Sequence, residues 1–377
     1  MRQLLLRTEI HKFDTFEDFA KEFEIGEGDL LFTNEFLYTP KMKPLDLKCD
    51  VYFQEKYGTT EPTDEMYNSI FKDLKDKEYK RIIAVGGGTV VDMAKWVASE
   101  KPDDIVDAYK ENPTFKPKHK TELIICPTTC GTGSEVTNIS MIYLTKTKTK
   151  KGCANDELFA DYAVLIPDLV KSLPYQPFMY SAIDALIHAV ESYVGRRHTD
   201  LSRMFGRRAI ELIMNGFTQM IEKGPEYRLE IMDDFVLGSN YAGIAFGTAG
   251  CNAVHAMSFP LGGMFHVAHG ESNYELFTTV MKYYYKMNPD GDIKEINHVL
   301  AEILGCETEG AEVYDKLEEA LAALIRRKPL SEYGVTEEIC DQMAELVIAE
   351  QQRLMTNTYV EMDKEAVKSL YLQVLND

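Results

Sequence analysis

The sequence predicts two domains, an α/β domain over residues 1–175 and an all-α domain over residues 176–377. At 377 residues the chain is longer than one hydrophobic core usually supports. Short β-rich apolar runs alternate with helical patterns in the first half, whereas the second half has helical periodicity without β-branched clusters. Pro174 and Pro177 interrupt the chain where the pattern changes, which sets the predicted boundary.

Five apolar runs predict the strands of the first domain. Runs of this length without polar alternation indicate strands that are buried on both faces, as in a parallel sheet covered by helices. Amphipathic segments such as TDEMYNSIFKDLKDK separate the runs and predict the covering helices. The predicted strands are DLLFT with its core at 30–33, VYFQ at 51–54, RIIAV at 81–85, ELIIC at 122–126 and YAVLIP at 162–167.

The second half contains seven long amphipathic segments, and each predicts a helix that packs its apolar face on a common core. The biased stretch TKTKTKK at 145–151 has no such periodicity and predicts an exposed hairpin tip in the first domain. The predicted helices of the second domain cover 177–194, 201–223, 227–246, 293–304, 311–327, 336–355 and 364–375.

Composition excludes several classes of protein. A formal charge of -20 argues against surfaces that bind nucleic acid or an anionic membrane, because both require clustered Lys and Arg. The start MRQLLLRTEI has too short an apolar run for a signal peptide, and nothing approaches about 20 consecutive apolar residues. The seven scattered cysteines form no CxxC pair, so we expect reduced thiols and a cytoplasmic protein.

Three consecutive glycines follow a predicted strand in RIIAVGGGTVVDMAK. Gly86, Gly87 and Gly88 precede a helix that we expect to begin near Thr89. Glycines let backbone approach a ligand closely, and a helix N-terminus offers free N–H groups to a phosphate. A tight turn needs one or two glycines, so three in a row favour a diphosphate site, although the spacing is not GxGxxG.

A second loop, CPTTCGTGSEVTN at 126–138, follows the strand ELIIC. In open α/β sheets, ligands bind beyond the carboxyl ends of the strands, which is where both loops are expected to lie. The two loops therefore predict one nucleotide site. The hydroxyl groups that the second loop offers belong to Thr128, Thr129, Thr132 and Ser134.

Carboxylate and imidazole side chains converge in the second domain. Asp184 and His188 are four positions apart in DALIHAVES and therefore share one face of a predicted helix. His255 and His269 follow in a segment, 229–281, that contains no Lys or Arg to compete with a cation.

Three imidazole nitrogens and one carboxylate oxygen suit a first-row divalent ion at a catalytic site. Iron(II) and zinc both fit such a set. From the residues alone, a hydrogen bond between Asp184 and His188 that only stabilises the helix is an equal alternative.

Four motifs together resemble the iron-dependent (group III) alcohol dehydrogenase family over nearly the whole chain. The motifs are GGGTVVDMAK, PTTCGTGSEVT, DALIHAVESYV and GIAFGTAGCNAVHAMSFPLGG followed by HVAHG. The resemblance implies the fold that this family shares with dehydroquinate synthase: an N-terminal dinucleotide-binding domain and a helical domain for metal and substrate. It also implies NAD, Fe2+ with Zn2+ as the alternative, and a homodimer.

The resemblance assigns roles to individual residues. Asp184, His188, His255 and His269 are implied as the metal ligands. The implied cofactor-binding residues are Asn34, Gly86, Gly87, Gly88, Thr89, Asp92, Thr128, Thr129, Thr132, Ser134 and Lys150.

The stretches FTNEFLY, FQEKYG, DFVLGSNYAGIAFG and QQRL resemble those family members that reversibly reduce succinate semialdehyde to 4-hydroxybutyrate with NADH. This implies a small carboxylated aldehyde or alcohol as the substrate. The nearest alternative is a general short-chain alcohol dehydrogenase. A dehydroquinate-synthase-like cyclase is disfavoured because residues 229–281 lack the cations that a phosphorylated polyol requires, and a non-catalytic sensor is a further alternative.

The sequence departs from the family pattern at four positions. Phe259 stands where many relatives carry a second histidine for the proton relay, and Cys130 replaces a common alanine. Asn34 stands where NAD-selective relatives often have Asp, which weakens the charge argument against NADP. His266 replaces a usual Asn or Asp, and we expect it as a catalytic residue that donates the proton or, as imidazolium, holds the substrate carboxylate.

Overall fold

A computed structural model of the chain describes residues 2–110, 113–147 and 149–377. The chain forms two compact units, one of Leu6–Leu173 and one of Met1–Leu5 with Pro174–Asp377. The first unit is α/β and the second is helical, which confirms the predicted fold class. Within these described ranges, no helix has both the length and the apolar composition required to cross a membrane.

The first unit contains a six-stranded sheet in the order β1-β8-β5-β4-β2-β3, and every neighbouring pair is parallel. All five predicted strands are present. A separate antiparallel hairpin, β6-β7, accompanies the sheet. The elements are β1 (Glu9–Lys12), α1 (Phe16–Glu22), β2 (Asp29–Thr33), α2 (Glu35–Lys41), β3 (Asp50–Phe53), α3 (Asp64–Asp73), β4 (Arg81–Gly86), α4 (Gly88–Val97), β5 (Glu122–Pro127), β6 (Ile139–Leu144), β7 (Thr149–Ala154), β8 (Tyr162–Leu165) and α5 (Pro167–Val170).

The central strands are buried because both faces of the sheet are covered. Alternate residues of β2, β4 and β5 enter two separate apolar cores, as a period of two requires. Phe32, Ala84 and Ile125 belong to one core. Leu31, Ile83 and Ile124 belong to the other.

The register brings the ends of three strands to one edge of the sheet. Thr33 of β2 lies opposite Val85 of β4, and Gly86 of β4 lies opposite Pro127 of β5. The loops after these strands therefore begin side by side. The hairpin turn follows Leu144, as predicted from the biased stretch, although Lys148 of that stretch lies outside the described residues.

The second unit is built around α6, which is buried almost throughout and packs against α7, α8 and α10. An apolar helix that is covered on several sides is typical of the centre of a helical domain. Its helices are α6 (Tyr175–Val194), α7 (Asp200–Lys223), α8 (Met232–Ala249), α9 (Ala253–Phe265), α10 (His269–Met287), α11 (Ile293–Leu304), α12 (Glu312–Leu324), α13 (Glu337–Glu350), α14 (Gln352–Met355) and α15 (Lys364–Gln373).

The largest differences in extent between predicted and observed helices concern two segments. The helix predicted over 227–246 begins only at Met232, because Gly224 adopts a positive φ of 97° and Pro225 starts a short 3-10 turn. The helix predicted over 336–355 is interrupted at Gln351, whose backbone leaves the helical region.

Candidate metal centre and nucleotide loops

The glycine loop joins β4 to α4, and the reason for glycine differs between its positions. A Cβ at Gly86 would lie 2.5 Å from Val90 Cγ2, so packing alone excludes a side chain there. Gly87 has an ordinary φ of -77°, and a Cβ would meet nothing closer than Thr129 Cγ2 at 3.4 Å. Neither backbone nor packing therefore requires glycine at Gly87.

The second loop lies against the glycine loop. Thr128 donates its backbone N–H to Gly86 O at 3.0 Å, and a Cβ at Gly88 would lie 3.2 Å from Thr132 Cγ2. The Thr129 hydroxyl oxygen is buried and has no hydrogen-bond partner among the described residues. The structure thus brings together the two loops that the sequence predicted as one nucleotide site.

Asp92 and Ser134 lie in the interior beside these loops and are hydrogen-bonded to each other. Ser134 Oγ donates to Asp92 Oδ1 at 2.7 Å, and the backbone N–H of Met141 donates to Asp92 Oδ2 at 2.8 Å. The Lys95 ammonium donates to Ser134 Oγ at 2.7 Å. Burial raises the pKa of Asp92 and lowers that of Lys95 to about 8. This buried network fixes the second loop on α4.

Three further predicted residues have protein partners. The Asn34 amide, just after β2, donates to Gln54 Oε1 at 3.3 Å. Thr89 donates its hydroxyl to Thr60 O at 3.4 Å. Lys150 lies on β7 and forms an ion pair with Glu61 at 2.6 Å.

Four predicted metal ligands converge in the helical unit. Asp184 and His188 share one face of α6, His255 lies in the first turn of α9, and His269 is the first residue of α10. One potential ligand atom from each of the four lies within 4.8 Å of those of the others. Asp184, His188 and His255 are buried, and His269 is half-buried.

The close approach of α10 to α6 depends on the residue after His269. A Cβ at Gly270 would lie 2.3 Å from the backbone oxygen of Tyr180, a distance that no side chain can adopt. Tyr180 lies one helical turn before Asp184 on α6. Glycine at this position therefore allows His269 to reach Asp184, with 3.8 Å between His269 Nε2 and Asp184 Oδ1.

Asn273, one turn after His269, was not predicted from the sequence. Its amide nitrogen donates to Asp184 Oδ1 at 2.7 Å and lies 3.2 Å from His255 Nε2 and 3.3 Å from His269 Nε2. It is fully buried, and its Oδ1 atom has no hydrogen-bond partner among the described residues. The only available signal was its i+4 spacing from His269.

Glu191 was also missed, although it lies in DALIHAVES one turn after His188. Its Oε2 atom accepts a hydrogen bond from His255 Nδ1 at 2.6 Å. Metal-binding histidines commonly donate their second ring N–H to a carboxylate in this way.

Cys251 brings a thiol to the same group. With Glu191 and His255 it forms a second buried cluster of potential ligand atoms. Burial acts to raise the pKa of the Cys251 thiol, but the imidazoles of His255 and His188 lower this pKa to about 7.

The four side chains fit a divalent cation. Burial acts to raise the pKa of Asp184, but the imidazoles of His188, His269 and His255 hold it below its ordinary value. The ionised carboxylate and three imidazoles are the donor types that iron(II) and zinc bind. The Nε2 atoms of His255 and His188 lie 2.9 Å apart, which indicates that both face one shared position.

His266 and Phe259, two positions at which the sequence departs from the family pattern, have different surroundings from the four ligands. His266 ends α9 with a left-handed φ of 56°, and its side chain is exposed and bonds to none of the residues that the structure describes. The structure does not bring it into contact with the four ligands. The Phe259 ring lies beside His269, with 6.1 Å between the ring centroids.

Two family models match the chain. One, described as iron-containing alcohol dehydrogenase, matches residues 11–167, and the other, described as the C-terminal part of the Fe-containing alcohol dehydrogenase family, matches residues 178–375. The chain is 52% identical over 372 residues to the 4-hydroxybutyrate dehydrogenase of Clostridium kluyveri, covering 98% of this chain and 99% of that protein.

Other relatives are more distant. The long-chain-alcohol dehydrogenase 1 of Geobacillus thermodenitrificans is 33% identical over 303 residues, which are 79% of this chain and 75% of the relative. The crystal structure of sulfoacetaldehyde reductase from Bifidobacterium kashiwanohense in complex with NAD+ superposes with a TM-score of 0.85 at 20% identity, covering 100% of this chain and 99% of that one. The chain belongs to the iron-containing alcohol dehydrogenase family.

Proposed function

We propose that this protein reversibly reduces succinate semialdehyde to 4-hydroxybutyrate with NADH and a divalent metal ion. The proposed ion is Fe2+, with Zn2+ as the alternative. The observation that carries the proposal is the 52% identity, over nearly both full lengths, to a 4-hydroxybutyrate dehydrogenase. The converging Asp184, His188, His255 and His269 also support it, because they could hold the ion that an iron-containing alcohol dehydrogenase is described as carrying.

The ion would be held by those four side chains. When bound, it would act as a Lewis acid that polarises the substrate carbonyl. The ligands come from three helices that pack together, so their positions are set by the core of the helical unit rather than by mobile loops.

The first unit would bind the cofactor. Gly87 would let the backbone approach the diphosphate, and the start of α4 would supply free N–H groups and the positive end of the helix dipole. The unpartnered Thr129 hydroxyl is a further donor beside that position. The bound nicotinamide would supply the hydride, and the residues of the first unit would bind and orient it.

The proposed preference for NAD over NADP is tested at Asn34, the residue just after β2. Asn34 is neutral and cannot repel a 2′-phosphate as a carboxylate would. Initial rates with NADH and NADPH, in the wild type and in Asn34→Asp, test this point. A marked preference for NADH in the wild type supports the proposal, and equal use of both cofactors contradicts it.

His266 is the proposed source of the proton or the partner of the substrate carboxylate. Asn tolerates the left-handed backbone of this position, so His266→Asn changes the side chain without straining the helix end. Lower turnover with succinate semialdehyde supports the role. Unchanged turnover excludes it and identifies His266 as an exposed helix terminus.

The central test is NADH oxidation by Fe2+-reconstituted protein with succinate semialdehyde and with butyraldehyde, which lacks the carboxylate. A strong preference for succinate semialdehyde that is lost in His188→Ala supports the whole proposal. Equal rates would support a general short-chain alcohol dehydrogenase instead. No oxidation with either aldehyde would contradict the proposal and favour the cyclase or the sensor. The homodimer proposed with this function is tested by light scattering.

A further inference from the structure

We infer that Glu191 is a positioning residue of the metal centre, which fixes His255 in the tautomer whose Nε2 atom is free to bind the ion. This inference rests on the metal site proposed above. Glu191 would contact neither substrate nor cofactor, and would act only by setting the tautomer and orientation of His255.

Glu191 is held rigidly from several sides. Its side chain is fully buried on α6, and its Oε1 atom accepts the backbone N–H of Val254 at 2.7 Å. Its backbone oxygen accepts a hydrogen bond from the Asn252 amide at 2.8 Å. Asn252 in turn caps α9 by accepting the N–H of Ala253. Glu191 therefore joins α6 to the first turn of α9, the turn that carries His255.

The direction of the hydrogen bond to His255 follows from this arrangement. A backbone N–H can only donate, and an ionised carboxylate can only accept. Oε1 is occupied by Val254, so Oε2 faces His255 Nδ1 at 2.6 Å and requires a proton on that nitrogen. In the neutral imidazole the lone pair then lies on Nε2.

The same contact orients the ring. Nε2 of His255 faces Nε2 of His188 at 2.9 Å and Asp184 Oδ1 at 3.6 Å. A 180° rotation of the ring about the Cβ–Cγ bond would replace both nitrogens by ring carbons at these positions and would break the bond to Glu191. Glu191 thus selects both which nitrogen binds the ion and where it points.

Replacement by glutamine separates the two tasks of this carboxylate. In Glu191→Gln the amide oxygen can still accept the Val254 N–H. Because that N–H can only donate, it keeps the amide oxygen on its side. The amide NH2 group then faces His255 Nδ1 as a donor, so the imidazole must move its proton to Nε2. The variant keeps the helix connection and size but blocks the ligand nitrogen.

The experiment compares Zn2+ and Co2+ affinity, by chelator competition, in the wild type, Glu191→Gln and Glu275→Gln. Glu275 is a matched control, because it is a fully buried glutamate of the same unit that bonds to Tyr333 and Lys328 and to none of the four ligands. We expect Glu191→Gln to raise the dissociation constant by roughly 10–100-fold and Glu275→Gln to leave it unchanged. Equal affinity in Glu191→Gln and the wild type would overturn the inference.

Nitrogen NMR of 15N-histidine-labelled protein provides a readout that does not depend on activity. The His255 signals are assigned by their loss in His255→Gln. In Zn2+-loaded wild type, and in metal-free protein at alkaline pH, we expect a protonated Nδ1. In metal-free Glu191→Gln we expect a protonated Nε2.

These outcomes separate the inference from the proposed function. If the wild type binds neither ion, the metal site is wrong, and the tautomer in metal-free protein still decides the role of Glu191. If Glu191→Gln does not fold, the wild-type spectrum decides, since a protonated Nε2 there would overturn the inference.

Discussion

His188 and His255 stack with their ring centroids 4.5 Å apart, and their Nε2 atoms approach to 2.9 Å. His188 comes from α6 and His255 from α9, so this contact exists only in the folded chain. Two imidazole nitrogens at this distance require a proton or a cation between their lone pairs. The contact marks the position where the proposed ion would bind, and it makes the ligands open to direct test.

His188→Ala removes one of the two facing nitrogens. Loss of a residue that only holds a ligand in place lowers metal affinity by up to about 100-fold. Because His188 would itself be a ligand, we expect the affinity for Fe2+ or Co2+ to fall by more than that. Chelator competition measures the change. His298→Ala is the control, because His298 is exposed on α11 and pairs with Glu309. Retained affinity in His188→Ala would exclude His188 as a ligand.

Asn273→Ala removes the amide that donates to Asp184 at 2.7 Å. Leaving a buried carboxylate with one donor fewer costs on the order of 1–3 kcal/mol, so we expect a lower free energy of unfolding and weaker metal binding. Asn297→Ala removes another fully buried amide, which accepts the Tyr314 hydroxyl at 2.5 Å, and should destabilise the protein without changing metal affinity. Equal metal affinity in both variants would count against a role for Asn273.

Gly87→Ala tests the nucleotide loop. Its added Cβ meets only Thr129 Cγ2 at 3.4 Å, so we expect little change in stability. The methyl group would occupy the space proposed for the diphosphate, and KM for NADH should rise by about tenfold, the equivalent of about 1.4 kcal/mol. Gly26→Ala, in a loop where a Cβ meets nothing within 3.8 Å, should leave KM unchanged. An unchanged KM in Gly87→Ala would place the diphosphate elsewhere.

Glu275 is expected to make the stability of the helical unit depend on pH. Burial raises the pKa of its carboxyl from 4.5 to about 7, so the folded protein favours the protonated form. The stabilisation is complete below pH 4.5 and is lost as pH rises through 7, by about 3 kcal/mol in all. Urea unfolding at pH 5 and pH 8 measures this difference.

Glu275→Gln resembles the protonated carboxyl and should reduce the loss of stability between pH 5 and pH 8. Glu319→Gln, which changes an exposed glutamate paired with Lys316, should leave it as in the wild type. The same pH dependence in the wild type and in Glu275→Gln would show that the carboxyl of Glu275 titrates normally.

Local patterns predicted most of the fold. The five continuous apolar runs became strands of the parallel sheet, because a strand covered on both faces requires such a run whatever its neighbours. The edge strand β1 was not predicted, since Glu9–Lys12 is short, polar and mostly exposed. Helices α9 and α10 were not assigned as amphipathic segments, because Pro260 and two glycines interrupt the first and small or polar residues begin the second.

The sequence by itself determined the two-part architecture, the glycine loop and the residue types that suit a metal ion, because periodicity and side-chain chemistry are local properties. Only the tertiary structure decided that Glu191 holds His255, that Asn273 holds Asp184, and that His266 is exposed. Glu191 and His255 are 64 positions apart in the chain, and Asp184 and Asn273 are 89 apart. Contacts over such separations leave no periodic signal, since they arise only when the helices pack on one core.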